Sequence, residues 1–366
     1  MITVEDFEQY KTVMNLTPFY RYYLYCNCAY ISLLYPVCLY LLFFKDIQLN
    51  KAYKYMLFVC ATTTLMNAVL YALWAPVTSQ SFMGGFSTGI ANVLGPEANV
   101  RIFQLFLIIL KNSQISTILL LIFQYAHLNP DAFFSKFGST DTRLITTYVF
   151  YTLFLFFVSG VLVPFCVNNR SEFFSYAIST NNTYAELLWF NQPTLMSFVA
   201  PLNPTVYLLG IIEVGSPLFL FVLGTYYTFV VSKIIKKSEN FVSYTTYRRE
   251  LMMFKTFVFK TLIMFIFYVI PIFGYTICLW LNVKNPIMGL VLNIILVSHG
   301  WPSYIGSIWL IKPYRHILLR IITKISPLPY LIPSEETTVR PLSNINHPSD
   351  RSRTAENSEN KIFPSR

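Results

Sequence analysis

Seven long apolar runs limit what this chain can fold into more than any other feature of its sequence. A helix needs about 20 apolar residues to cross roughly 30 Å of hydrocarbon. Seven stretches meet that length, and we number them spans 1 to 7: residues 22–44, 55–77, 102–124, 144–166, 205–231, 257–281 and 287–311. Backbone amides in lipid need partners within the protein, and the sequence lacks the alternation of a β-barrel. The runs therefore predict an all-α bundle of seven transmembrane helices.

Composition agrees with a membrane protein. The 366 residues are 55% hydrophobic and only 12% charged, whereas soluble domains carry about 25% charged residues. The net charge of +10 does not indicate nucleic-acid binding, because the cations cluster between and after the apolar runs without an RNA-binding or Gly-rich motif. The opening MITVEDFEQY is acidic and polar, so span 1 is predicted to act as an uncleaved targeting signal.

The sequence offers no metal, cofactor or catalytic site. The six cysteines lie in or beside apolar runs without CxxC or Cys/His spacing, and are expected to be small buried hydrophobes. HExxH, GxGD and a Ser/His pair at one depth are all missing from the sequence. We therefore expect no enzyme, no metal and no cofactor.

Lysine and arginine predict the orientation. All but six of the 27 Lys and Arg residues follow spans 1, 3, 5 and 7 or open span 6. Cytoplasmic segments carry such an excess, so the amino terminus is predicted outside and the carboxyl terminus inside the cell. Lys260, just within span 6, is expected to extend its side chain to the interface. The exceptions are Lys11, Arg21, Arg101, Lys111, Arg170 and Lys284.

Three N-x-S/T sequons support this orientation. Asn15 lies in the amino-terminal segment, and Asn169 and Asn181 lie in the loop after span 4. Both regions are predicted to be outside, where glycans are attached to surface asparagines. We expect glycosylation at these three residues.

The chain divides into three predicted parts. Residues 1–21 form an extracellular segment and residues 22–325 the bundle. Residues 326–366 form a Pro/Ser-rich cytoplasmic tail that is too polar to order itself. The aromatic loop 167–204 is expected to fold over the mouth of the bundle, which would otherwise be a cup open to the outside.

Span 7 ends at an interface signal. Pro313 is expected to stop the helix, Lys312 and Arg315 to mark the cytoplasmic surface, and Tyr314 to lie at headgroup level. The following HILLRIITKI has apolar residues at helical spacing with cations between them. This pattern is typical of a short amphipathic helix on the inner leaflet.

Two charges within the spans are candidates for function. Lys111 in span 3 and Glu213 in span 5 lie about 15 Å and 12 Å below the outer surface at 1.5 Å per residue. An intramembrane charge costs about 2.5–3.5 kcal/mol on insertion scales. We expect both side chains to face inward, where they either pair or bind a polar group of a ligand. A structural ion pair without a ligand is the alternative.

His299 completes the candidate ligand set. It lies about thirteen residues into span 7, and Gln104, Asn112 and Gln114 of span 3 are expected as its polar company. A histidine there is either an interhelical hydrogen-bonding group or part of a ligand site. The candidate ligand-binding residues are therefore Lys111, Glu213, His299, Gln104 and Gln114. Kinks or hinges are expected at Pro36, Pro164, Pro217, Pro271 and Pro302.

The end of span 7 resembles a known family. SHGWPSYIGSIWLIKPYR contains His299, Gly300 and Ser303, followed by a Pro-Tyr-Arg triplet from residue 313. This pattern is similar to the last helix of the nematode serpentine receptor class H family of seven-helix chemoreceptors. LTPFY before span 1 and GFSTGIANVLGPEANVRIFQ before span 3 agree more loosely. Gln124, Tyr125 and Ala126 replace the family's usual acidic-Asn-Arg triplet, and Tyr304 replaces a common Thr.

The resemblance implies a chemosensory receptor of the plasma membrane, in a sensory cilium. It would bind a small odorant or pheromone-like molecule and couple to a heterotrimeric G protein. The inner-face contacts would be Lys233, Lys236, Lys237, Arg248, Arg249, Pro313, Tyr314 and Arg315, although an anionic leaflet also attracts such cations.

Other classes stay open. A transporter or ligand-gated channel is the alternative and would show repeats, paired broken helices or rings of charge. A receptor that folds without coupling is a further reading, because the helix 3 arginine is missing.

Overall fold

The computed structural model describes residues 4–43, 51–79, 83–129, 140–238, 243–281 and 285–325. Its main unit comprises residues 1–318, and a second unit comprises residues 319–366. Of the second unit, residues 319–325 are described as the end of the last helix. The tail 326–366, with its expected disorder, lies outside the described residues.

Helices dominate the described chain, and seven of them are long and apolar enough to cross a membrane. The predicted seven-helix membrane bundle is therefore confirmed. In chain order, the helices are α1 (Val4–Phe43), α2 (Lys51–Trp74), α3 (Gly95–Leu128), α4 (Asp141–Cys166), α5 (Arg170–Ser179), α6 (Thr183–Asn191), α7 (Thr205–Ser238), α8 (Tyr244–Met264), α9 (Ile270–Trp280), α10 (Pro286–Val297), α11 (Gly300–Leu310) and α12 (Lys312–Ile325). Spans 1 to 4 lie in α1 to α4 and span 5 lies in α7. Span 6 comprises α8, a π-helical turn at Phe265–Val269 and α9, and span 7 comprises α10 and α11.

Polar caps explain where several helices begin. The Thr140 hydroxyl accepts from the Arg143 N–H at 3.3 Å before α4, and the Ser243 hydroxyl accepts from the Thr246 N–H at 3.3 Å before α8. Before α10, the Asn285 side-chain oxygen Oδ1 accepts from the Ile287 N–H at 3.1 Å. Each cap satisfies an amide that the first helical turn leaves without a partner.

The described part of the amino-terminal segment is helical and continuous with span 1. α1 begins at Val4 and runs without a break into span 1. Its early turns pack on α6, where Thr183 donates to Asp6 and the Gln192 amide donates to the Tyr10 hydroxyl at 3.0 Å. The helix therefore extends beyond the predicted span to reach the loop between spans 4 and 5.

A three-stranded antiparallel sheet, which the sequence patterns did not predict, lies at one end of the bundle. Its strands are β1 (Pro76–Ser79), β2 (Met83–Ser87) and β3 (Met196–Phe198), with Val77 opposite Phe86 and Gly84 opposite Ser197. We call this the sheet end, and the opposite end, where α12 follows α11, the α12 end. The helix α2 ends at Trp74. It stops there because Pro76 disfavours helical geometry at the preceding residue, and Ala75 takes φ 43°.

The loop between spans 4 and 5 folds onto the bundle, as expected. It contributes α5, α6 and β3, with Phe173, Leu188 and Phe198 buried in the core. The Tyr20 hydroxyl donates to the Pro76 carbonyl at 3.0 Å, and the Asn293 amide donates to the same oxygen at 3.2 Å. The sheet end is therefore packed against α1 and α10.

Spans 6 and 7 are irregular beside their prolines. Span 7 breaks at Ser298 and His299, between α10 and α11. Pro302 has no N–H to donate to the Ser298 carbonyl, so the helical ladder is interrupted there. The break is held by α1, because Tyr23 bonds the Ser298 hydroxyl and Asn27 donates to the Val297 carbonyl at 3.3 Å. In span 6, the π-helical turn directly precedes the helix that contains Pro271.

The other prolines and the cysteines divide between helix interiors and surfaces. Pro36, Pro164 and Pro217 lie inside α1, α4 and α7. Among the cysteines, Cys60, Cys166 and Cys278 are buried as expected, Cys28 and Cys38 are partly buried, and Cys26 is exposed.

Candidate functional site

Lys111 and Glu213 form the predicted ion pair between α3 and α7. The Lys111 Nζ lies 3.1 Å from Glu213 Oε2, and the lysine side chain is only 2% exposed. The same ammonium donates to the Ser216 hydroxyl and to the Glu213 carbonyl at 3.4 Å. Its three hydrogens thus have three acceptors. The sequence left open whether the two charges pair or bind a polar group of a ligand, and the structure shows them paired.

Gln104 and Asn112 bind span 4 instead of His299. The Gln104 amide donates to the carbonyl of Ser159 at 3.1 Å and to that of Gly160 at 3.2 Å. The Thr152 hydroxyl donates to the Asn112 side-chain oxygen at 2.8 Å. The expectation that both residues accompany His299 is wrong, because they point to α4 and fasten it to α3.

His299 is buried at the break in span 7. Its side chain is 3% exposed, and Nδ1 lies 3.0 Å from the Leu296 carbonyl. A carbonyl only accepts, so Nδ1 carries the hydrogen, and Nε2 of the neutral ring is an acceptor. Nε2 is buried without a partner among the described residues, and the ring centroid lies 4.7 Å from that of Tyr268. Tyr268 belongs to the π-helical turn, so the two irregular turns meet at this contact.

Two buried side-chain amides also have polar atoms without a hydrogen-bond partner among the described residues. Gln114 of α3 is 1% exposed, and in the described chain neither its amide nitrogen nor its oxygen has a partner. Asn67 of α2 is fully buried with the same deficit. An unsatisfied buried amide costs about 1–3 kcal/mol, so these groups favour a polar occupant. Our sequence reasoning missed Asn67, although an asparagine inside an apolar run was its signal.

At the α12 end, Gln124 joins α3 to α8. Its amide donates to the Glu250 carbonyl at 3.0 Å, and its side chain is 2% exposed. Gln124 is the first residue of the Gln-Tyr-Ala triplet that stands in place of the acidic-Asn-Arg triplet described above. A neutral glutamine therefore connects the ends of spans 3 and 6 through a backbone carbonyl.

The predicted inner-face cations lie largely on the surface. Lys233, Lys236 and Lys237 are exposed along the last turns of α7, and Arg248 is exposed near the start of α8. Lys233 Nζ lies 4.3 Å from the centroid of the Phe229 ring. The side chains of Arg249 and Pro313 lie outside the described residues.

Tyr314 is buried inside the protein, whereas the sequence predicts an exposed anchor at headgroup level. It is 5% exposed and packs with Leu41, Ile308 and Ile311. Burial raises the pKa of its hydroxyl, which therefore stays protonated. Arg315 lies with its guanidinium carbon 5.5 Å from the centroid of the Trp309 ring. The predicted end of span 7 is correct, since α11 stops at Leu310 and α12 begins just before Pro313.

The three sequon asparagines are exposed, at the sheet end of the chain. Asn15 lies on α1, Asn169 caps α5, and Asn181 lies in the turn before α6. The exposed cations listed above lie at the α12 end. The two groups therefore occupy opposite ends of the bundle, as the predicted orientation requires.

We expect glycans on the expressed protein at these asparagines. Asn169→Gln and Asn181→Gln should each increase gel mobility by one glycan, because each removes an exposed acceptor, and glycosidase treatment should make the variants migrate alike. The matched control is Asn346→Ser, which creates a sequon at Asn344 in the predicted cytoplasmic tail and should stay unmodified. Glycosylation at Asn344 would show that the tail lies outside and would contradict the predicted orientation.

Fold and site together define a seven-helix membrane protein with buried polar groups inside its bundle. The family model described as serpentine type 7TM GPCR chemoreceptor Srh matches residues 16–324. The chain therefore belongs to this chemoreceptor family, and the resemblance of its span 7 motif to class H receptors is confirmed. The family is not one of enzymes. No curated protein matches the chain.

Proposed function

We propose that this protein is a plasma-membrane receptor that binds a small odorant or pheromone-like molecule inside its bundle and activates a heterotrimeric G protein. The observation that carries this proposal is family membership over residues 16–324, which include all seven spans. The family also supports a place in the cilium of a sensory neuron. The fold supplies a bundle in which one ligand can contact several helices.

The ligand site that we propose lies around His299 and Gln114. The Nε2 of His299 offers a buried acceptor, and the Gln114 amide offers a donor and an acceptor without partners in the described chain. A ligand with a hydroxyl or carbonyl group would satisfy such atoms and gain affinity, because unpaired buried polar groups are costly. The Lys111–Glu213 pair adds a charged element between α3 and α7, whereas Gln104 is already bonded to α4.

A ligand panel tests the receptor function. Cells that express the protein should respond to at least one volatile or pheromone-like compound with a calcium or cyclic-nucleotide signal, and G-protein blockade should abolish the signal. His299→Phe keeps a ring against Tyr268 but removes Nε2, so it should weaken the response at equal surface expression. A signal that persists under blockade would argue against G-protein coupling, and an unchanged His299→Phe response would remove the ligand site.

The proposed coupling surface is the α12 end, with the exposed cations of α7 and α8 and with Arg315. A G protein would bind there when spans 3 and 6 separate, and Gln124 opposes that separation through its bond to Glu250. The signalling state is then a second packing of the same helices, which a ligand stabilises through its differential affinity.

Gln124→Met is expected to raise signalling in the absence of ligand. Methionine keeps the length of the side chain but loses the amide that donates to Glu250. One such hydrogen bond contributes about 1 kcal/mol, which corresponds to about a fivefold shift between two packings. The measurement is basal G-protein activity normalised to surface expression, with and without blockade. Basal activity equal to wild type would show that this bond does not restrain the receptor.

The transporter or channel alternative is not favoured. Transporters place broken helices at matching positions of two repeats. Here the irregular turns lie in adjacent spans, at Phe265–Val269 and at Ser298–His299.

A further inference from the structure

A small cavity, mostly apolar but with several polar groups in its lining, lies near the α12 end, among spans 1, 2, 6 and 7. Its volume is about 40 Å³, and the polar groups that line it include Lys260, Ser303, Ser307, Thr64, Tyr314 and Cys38. A single water needs about 10–15 Å³ by the same measure. The cavity therefore has room for a monatomic ion together with one or two waters.

Lys260 brings a positive charge into this cavity. Its side chain is 7% exposed, so it does not extend to the interface as the sequence suggested. Among the described residues, its ammonium donates to the Ser303 hydroxyl at the long distance of 3.5 Å. No carboxylate of the described chain lies within ion-pair distance of Lys260, whereas Lys111 has Glu213 at 3.1 Å. A buried charge without a counter-charge is strongly unfavourable.

Of the four cavity hydroxyls named above, two have a hydrogen left to donate and two have only lone pairs left. Ser307 and Thr64 already donate to the backbone carbonyls of Ser303 and Cys60. The Tyr314 hydroxyl is buried and has no partner among the described residues. Since Ser303 accepts from Lys260, its own hydrogen is available to donate. The cavity thus combines one ammonium with two hydroxyl donors, which is complementary to an acceptor that carries negative charge.

We propose that this cavity binds a small monovalent anion, namely chloride. The ion would supply the counter-charge that Lys260 lacks and would accept from the hydroxyls of Ser303 and Tyr314. Water would satisfy the hydroxyls but would leave the ammonium uncompensated, and the volume excludes a bulky organic acid. The bound ion would join span 6 to span 7 and to the start of α12. This site does not depend on the ligand or G-protein proposals.

Thermal unfolding of the full-length protein in detergent tests the site. Replacing gluconate with chloride at constant ionic strength and pH should raise Tm by about 2 °C or more, because only the folded state would bind the ion. Lys260→Met should abolish the difference between the two salts. The matched control is Lys255→Met, which removes an exposed lysine of the same helix and should keep the difference. Equal wild-type Tm values in both salts, or a chloride effect that survives in Lys260→Met, would overturn the proposal.

A second variant decides the case if Lys260→Met does not fold. Tyr314→Phe removes only the hydroxyl, so it should fold and should require a severalfold higher chloride concentration for the same rise in Tm. Bromide should substitute for chloride and give anomalous scattering density beside Nζ of Lys260 in crystals of the wild type. An unchanged chloride titration in Tyr314→Phe, or bromide density only elsewhere, would place the ion outside this cavity and refute the site.

Discussion

Lys111→Met is expected to destabilise the folded protein by about 3–5 kcal/mol. The substitution leaves the Glu213 carboxylate inside the bundle without its counter-charge, and breaking one side of a buried ion pair has a cost of this size. The Ser216 hydroxyl and the Glu213 carbonyl also lose their contacts with the ammonium. Thermal unfolding of the purified protein in detergent should show a clear fall in Tm.

Two controls separate the ion pair from the loss of a charge. Lys233→Met removes an exposed lysine and should change stability little, as surface charges contribute about 0–1 kcal/mol. The double variant Lys111→Met with Glu213→Leu should recover most of the loss, because apolar residues often replace a buried pair without cost. A single variant as stable as wild type would contradict the burial of the pair. If the double variant folds but no longer responds to a ligand, the pair binds that ligand; a retained response assigns it a structural role.

The depth of a residue in the membrane was predictable, because it follows from counting along a helix. Lys111 and Glu213 were matched in this way, and the structure places them in contact. The rotation of α3 was not predictable: 83% of its most apolar window is buried, and a helix that is apolar all round has no preferred face to identify. The sequence therefore suggests Gln104 and Asn112 as neighbours of His299, although they bind α4.

The end of span 7 shows a similar limit of prediction from sequence. Lys312 and Arg315 correctly marked where the helix stops, since charge and proline act locally along the chain. The same argument predicts Tyr314 at headgroup level. Its burial against Leu41 depends on contact between distant segments, as does the contact of Lys260 with Ser303. Sequence position gives depth, but the neighbours of a side chain come from packing.

The sequence patterns could not predict the sheet, for a different reason. Its strands have only three to five residues, too few for a clear alternation of polar and apolar positions. β2 contains two glycines, which are disfavoured in strands. Its third strand comes from the loop before span 5, and this pairing between distant segments leaves no local signal.

Gly89→Ala is expected to detach this sheet from α2 and to destabilise the protein by about 2–3 kcal/mol. A Cβ at residue 89 would overlap the carbonyl oxygen of Leu73 and would lie 2.9 Å from the carbonyl carbon of Trp74. These are backbone atoms, which cannot rotate away as a side chain can. The chain around residue 89 would have to move, and the hydrogen bonds from the Gly89 N–H and the Ser87 hydroxyl to the Trp74 carbonyl, at 3.1 and 2.6 Å, would lengthen.

The matched control is Gly215→Ala in α7, where an added Cβ meets no atom within 4 Å. That variant should be as stable as wild type or more stable by up to about 1 kcal/mol, because alanine favours a helix over glycine. Thermal unfolding of both variants in the same detergent compares the two sites, and hydrogen exchange should show lost protection in β1 and β2 only for Gly89→Ala. Equal Tm values for the two variants would contradict the prediction. They would show that the backbone around residue 89 can shift to accommodate a methyl group without loss of stability.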